Sequence, residues 1–423
     1  MKKIITALVA AALIFSVASC GGKKAEPAPV AEAPKAVEKA EVKQPAKAAD
    51  DYSNVKIGFI LLHDPASSTY DNNFYLAALE VQKKLGLSND QVIFKWNIEE
   101  GSVCYDTACD MADSGCNIVF ADSFGHETYM IQAAKEYPDV QFCHATGTKS
   151  RSEGVANFHN AFASIYEGRY LAGIAAGMKI NEMIESGKIT PDKAKLGYVG
   201  AFPYAEVISG YTSFFLGARS VCPTATMEVT YTNSWFDIAK EKTGAEALIK
   251  NGCIFISQHA DSEGAPKACA ENGVPNVSYN VDTTHLGPDT ALISSRINWA
   301  PYFEMIIKAT AKGENFVTDY IGTMATGSVE LTKLNEKVAA KGTQEALDKA
   351  ISDFKAGKIK VFSTDSFTYK GEKLTEYLAD VVDKGDFKPE TNVIINGEFV
   401  ESGEQFRSAP YFDIMIDGIK KYE

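Results

Sequence analysis

Val55-Lys56-Ile57-Gly58-Phe59-Ile60-Leu61-Leu62 is an apolar run of strand length. It stops at the polar stretch His63-Asp64-Pro65-Ala66-Ser67-Ser68-Thr69-Tyr70-Asp71-Asn72-Asn73-Phe74. A buried strand, a polar loop and helical periodicity over 74–85 make the opening of a βα unit. The rhythm repeats downstream. Residues 91–96, 117–121 and 141–145 read as strands, with helices ending at 111–114 and running over 126–137. A long helix with a small-residue face (Gly168, Ala172, Ala175, Ala176) is predicted over 164–183. Strands at 195–199, 226–231, 253–257 and 276–280 then alternate with helices at 207–218, 237–250 and 263–272. Such alternation predicts mainly parallel sheets in two consecutive α/β sets. The last 90 residues add a helix over 343–355 and short strands at 358–362 and 393–395.

Composition narrows the function. The 423 residues are 45% hydrophobic and 23% charged, which excludes a fibrous or fully disordered chain. A net charge of −13 argues against non-specific binding to nucleic acid, and no nucleic-acid partner is expected. Residues 1–19 carry Lys2 and Lys3 ahead of a short apolar run, the pattern of a secretory signal. The run ends in Val17-Ala18-Ser19-Cys20, which resembles a bacterial lipobox, so Cys20 is the expected acylated first residue of the mature protein. Residues 21–50 hold nine Ala, four Pro, six Lys, five acids and no aromatic residue. That composition predicts a mobile tether over 20–51, between a lipid anchor outside the cytoplasm and a soluble body.

Seven further cysteines cannot all pair within the chain. Cys104 and Cys109 could form a short bridge, but buried thiols are the simpler expectation. Residues 104, 109 and 116 lack CxxC spacing and the six histidines are scattered, so no metal site is expected. No Ser-His-Asp order, P-loop or GxGxxG stands at a strand end. Neither catalysis nor a cofactor is expected.

Two α/β lobes behind a signal and a tether point to a periplasmic-type binding protein. Ligands in such folds lie in the cleft beyond the carboxyl ends of the strands. Those ends supply aromatic faces at Tyr70, Phe124 and Trp235, and polar edges at Asn72, Asn73, Gln258, Asp261, Asn280 and Asp282. Rings to stack on and amides and carboxylates to read an edge suit a flat heteroaromatic ligand. Sugar clefts use the same chemistry.

From about Val55 onward the chain resembles the basic membrane protein family of ABC-transporter substrate-binding lipoproteins, which includes the purine nucleoside receptor A proteins. The matching stretches are Asp122-Ser-Phe-Gly125, His144-Ala-Thr-Gly147, Tyr166-Glu-Gly-Arg-Tyr-Leu-Ala-Gly173, Gly197-Tyr-Val-Gly200, Asn233-Ser-Trp-Phe-Asp237, Gln258-His-Ala-Asp-Ser262, Val281-Asp282 and Asn298-Trp-Ala-Pro-Tyr302. The resemblance implies the type I periplasmic-binding-protein fold: two doubly wound parallel-sheet lobes with a ligand cleft between them. It implies capture of a purine base or nucleoside for an ABC permease. It also implies that Trp235 stacks on the base and that Asp282 accepts hydrogen bonds from the ligand. Trp299 joins the candidate set through its motif, and Tyr70 or Phe74 replaces the family's first-lobe stacking Phe, which aligns near Ser68. The family's ribose-contacting Lys has no counterpart in Ser294-Ser-Arg-Ile-Asn298, which favours a free base. The expected first lobe is 52–155 plus 286–323 and the second 156–285 plus 324–423, with crossings near Ala156, Thr284 and Ala325.

Overall fold

A computed structural model describes residues 51–423 except 402 and 404; the expected signal, Cys20 and nearly all of the tether lie outside the described residues. In chain order the first elements are β1 (Ile57–Ile60), α1 (Thr69–Leu85), β2 (Val92–Lys95), α2 (Ser102–Asp113), β3 (Ile118–Ala121), α3 (Glu127–Glu136), β4 (Gln141–Ala145) and β5 (Phe158–Ala163). Then come α4 (Tyr166–Glu185), β6 (Lys195–Gly200), α5 (Ala205–Val221), β7 (Thr226–Tyr231), α6 (Ile238–Lys250), β8 (Phe255–His259), α7 (Gly264–Asn272) and β9 (Asn276–Tyr279). The remainder holds β10 (Ala291–Ile297), α8 (Ala300–Lys312), β11 (Asp319–Gly322), β12 (Val329–Leu331) and α9 (Thr343–Lys355).

The strands form two large sheets. The first runs β11-β5-β4-β3-β1-β2, parallel throughout. The second runs β12-β10-β9-β8-β6-β7 and ends in the strand Ile419–Lys421; only β12 is antiparallel to its neighbour. Successive strand residues face opposite sides, so each sheet buries apolar groups on both. In β1, Phe59 packs against Phe303 of α8 with ring centres 5.0 Å apart, while Ile60 joins Cys104, Met111 and Met130 on the other side. In β6, Tyr198 meets Phe214 of α5, and Val199 meets Leu248 of α6 and Ala268 of α7.

Two strands fall in the lobe opposite to the expected one. β5 was expected in the second lobe and pairs with β4 and β11 in the first sheet. β10 was expected in the first lobe and pairs with β9 and β12 in the second. The chain therefore crosses between sheets after Ala163, after Ile297 and after Gly322. Both strands are almost wholly buried, so local burial does not choose between sheets; the partner ladder does. Residues 358–362 form no strand: 358–360 are irregular and 361–362 a turn, followed by an isolated bridge at Ser363. Cys104, Cys109 and the other five described cysteines are free thiols. No helix among the described residues is long and apolar enough to cross a membrane.

Candidate functional site

The cleft lies between the two sheets, beyond the carboxyl ends of their strands, and holds a small cavity. The first sheet contributes Leu62 after β1, Tyr70 on α1, Ser123 and Phe124 after β3, and Thr146 after β4. The second contributes Glu206 after β6, Trp235 after β7, and His259 and Asp261 at the end of β8. Tyr70, Phe124, Trp235 and Asp261 were legible at the strand ends. Glu206 was missed, although it obeys the same rule: Gly200 ends a strand and α5 begins five residues later.

The aromatic walls have different supports. Tyr70 donates its hydroxyl to the Asp122 carbonyl at 2.8 Å, which fixes the ring at the cavity edge. Trp235 sits edge-on to Phe202, with centres 5.1 Å apart, and near Tyr204 at 6.0 Å. Phe124 reaches from the opposite lobe to 6.4 Å from Tyr204 and is half exposed. Asp261 donates its backbone N–H to the Trp235 carbonyl at 2.9 Å, which ties the two loops together. Burial raises the Asp261 carboxyl well above its usual range, and nearby Glu241 adds to the shift. The His259 ring lies 3.3 Å from Glu206, and burial followed by the Arg169 charge lowers its pKa.

The lobes touch across the cleft. The Thr69 N–H of α1 donates to the Asp261 carbonyl at 2.9 Å. Asn73 donates through Nδ2 to the Ile297 carbonyl at 2.6 Å and lies 3.4 Å from Asn280 Oδ1. Asn73 and Asn280 are thus inter-lobe ties rather than cavity walls. Asn280 adopts a left-handed φ of 65°, which its short amide tolerates.

Four expected contacts are corrected. Ser68 caps α1 by accepting from the Asp71 N–H, so the helix starts five residues earlier than predicted and Asn72, Asn73 and Phe74 are helical. Phe74 consequently points inward and stacks on Trp299, centres 4.5 Å apart; both are core residues of the first lobe. Asn72 is half-buried on α1 and does not line the cavity. Asp282 is exposed, and its carboxylate accepts from the Thr284 N–H at 2.8 Å to close a local turn away from the cavity. Arg296, in the stretch that lacks the family's lysine, pairs with Glu330 on β12 at 3.1 Å.

Comparison with known proteins agrees with this architecture. Residues 56–361 match the family model described as ABC transporter substrate-binding protein PnrA-like. A purine-binding protein of Brucella abortus is 33% identical over 272 residues, covering 63% of this chain and 73% of that protein. A Haloferax volcanii protein named as an ABC-transporter glucose-binding protein is 31% identical over 271 residues, covering 64% of this chain and 62% of that one. Among solved structures, an ABC-transporter solute-binding protein of Aeropyrum pernix K1 superposes with a TM-score of 0.60 at 16% identity, covering 72% of this chain and 92% of that one. At that identity the likeness speaks for the fold, which is the type I periplasmic-binding-protein fold. Proteins of this family bind substrate for ABC importers outside the cytoplasm and are not enzymes. Two α/β lobes, a cleft at their strand ends and a family match over most of the folded body agree: the chain belongs to the PnrA-like family of ABC-transporter substrate-binding proteins.

Proposed function

We propose that this protein captures a purine, preferentially as the free base, and delivers it to an ABC permease while an acylated Cys20 holds it at the membrane. The observation that carries the purine reading is the cavity's wall chemistry: the Tyr70, Phe124 and Trp235 rings surround the Glu206 and Asp261 carboxyl groups. Flat rings offer stacking, worth about 1–3 kcal/mol per base, while a carboxylate accepts from ring N–H groups and a protonated carboxyl, the form burial favours at Asp261, donates to ring nitrogens. The 33% identity to a purine-binding relative supports the same reading. One feature favours the base over its nucleoside: the stretch 294–298, where the nucleoside receptors carry a ribose-contacting lysine, holds no lysine, and its Arg296 is engaged with Glu330. Ligand bound between both lobes favours the closed form, because only closure lets both touch it.

A sugar is the second reading, favoured by the 31% identical relative named as glucose-binding. Mass spectrometry of ligand released on denaturation, followed by calorimetry with purine bases, nucleosides and glucose, separates the two. Saturable binding of a base is expected. Glucose binding without response to any purine sinks the purine reading. Acylation is tested by palmitate labelling, which Cys20→Ala should abolish.

A further inference from the structure

Glu206 is backed by a chain of buried polar groups that reaches away from the cavity. Its Oε1 lies 3.3 Å from His259 Nε2, and His259 is 2% exposed. A carboxylate can only accept, so Nε2 carries the ring proton and Nδ1 is left as an acceptor. Nδ1 makes no hydrogen bond to the described protein atoms. The buried Tyr198 Oη and Arg169 Nε share that property. These three atoms come from β8, β6 and α4, and they converge over one residue of α5. A Cβ built on Gly210 would sit 2.8 Å from His259 Nδ1, 3.4 Å from Tyr198 Oη and 3.6 Å from Arg169 Nε. Glycine at 210 keeps that point clear of side chain.

Arg169 gives the convergence its charge. It is 1% exposed, donates through Nη1 to the Gln258 carbonyl at 2.6 Å, and lies 3.8 Å over the Tyr279 ring. A buried guanidinium is stable only when its N–H groups are met. A buried water needs two to four polar partners, which these three atoms supply.

We infer that a water bound over Gly210 accepts from Arg169 Nε–H and donates to His259 Nδ1, and that this relay holds Glu206 as the specificity-determining acceptor for a hydrogen-bond donor of the ligand. In the purine reading, on which the ligand's class rests, that donor is a ring or exocyclic N–H. Glu206 Oε1 is engaged by His259, and Oε2 is the oxygen left for the ligand. Arg169 and His259 are positioning residues, and the effect of the relay is to choose the His259 tautomer. With the proton on Nδ1 instead, Nε2 would be an acceptor facing a carboxylate, and Glu206 would lose its support.

The test combines binding with side-chain nitrogen NMR. Wild type and Glu206→Gln are titrated with guanine, hypoxanthine, adenine and glucose. The variant should bind the tightest probe at least tenfold more weakly with an unchanged melting temperature; a loss below threefold overturns the proposal. In unliganded wild type, the His259 resonances should show the Nε2–H tautomer with Nδ1 accepting a hydrogen bond. An Nδ1–H tautomer overturns it. Tyr198→Phe should lower the melting temperature, since it removes one partner of the water. Removing an unpartnered buried hydroxyl would leave the melting temperature unchanged or raise it, and that result also overturns the relay. If wild type binds glucose and no purine, the purine reading fails, and the same thresholds applied to glucose decide the role of Glu206. If no probe binds, the tautomer decides.

Discussion

Trp235 and Phe74 are both aromatic residues of strand-end motifs, yet they take opposite roles. Trp235 is held by its own lobe, against Phe202 and Tyr204, and keeps a face on the cavity. Trp235→Ala should therefore cost about 1–3 kcal/mol of base binding by calorimetry, and Trp235→Phe should recover most of it. Purine binding should also quench the fluorescence of Trp235, one of three tryptophans in the chain. Phe74 is fully buried against Trp299 and Phe120. Phe74→Ala should cost about 3–5 kcal/mol of stability in urea unfolding through cavity formation. The comparison checks itself, because a Trp235 variant that loses stability but not affinity would have packing as its main role.

At the scale of elements, α4 and α5 make the closest helix contact of the second lobe. Gly173 and Gly217 allow it. A Cβ on Gly173 would fall 2.1 Å from the Phe214 carbonyl oxygen, and one on Gly217 would fall 2.0 Å from that of Tyr170. Neither backbone can yield without parting the helices. Gly173→Ala should therefore destabilise by about 1–3 kcal/mol despite alanine's better helix propensity. Urea unfolding checks this, and a neutral or stabilising result would show that the helices can slide. The small-residue face of this helix was visible in the sequence; its partner was not. Because Arg169 and Gly210 ride on these two helices, parting them should also weaken ligand binding.

The whole molecule buries several acids whose carboxyls are raised by desolvation. Glu167 and Glu241 are pushed up to about 7, and Glu401 to about 8. Each of these holds its proton more tightly folded than unfolded, so stability is fully present below the ordinary carboxylate range and is lost as pH rises through 7 to 8. The buried His126 and His159 are lowered to about 4 and act oppositely, adding stability as pH rises from 4 to 6.5. Above pH 6.5 the histidines contribute no further slope. Urea midpoints should therefore fall between pH 6.5 and 8. Glu401→Gln should flatten the upper part of that fall, since the group protonated at neutral pH is replaced by a neutral amide. A midpoint that rises across this window would refute the assignment.

What the sequence by itself determined is the pattern that local chemistry controls. Apolar runs of strand length alternating with helical periodicity specify parallel α/β layers, because only crossover connections join parallel strands. That rule places candidate ligand contacts at the strands' carboxyl ends, which is how Tyr70, Phe124, Trp235 and Asp261 could be named in advance as residues that line the cavity. Only the tertiary structure decided which sheet takes β5 and β10, since both are buried, ladder-forming strands that either sheet could satisfy. It also decided which way residues point once a helix begins. The Ser68 cap moved the start of α1 and turned Phe74 into the core, and a two-residue turn bond carried Asp282 out of the cavity. The pairing of Glu206 with His259, and the convergence of His259, Tyr198 and Arg169 on Gly210, bring together residues up to 90 positions apart. Such convergence depends on how four elements pack, and no periodicity in the chain records it.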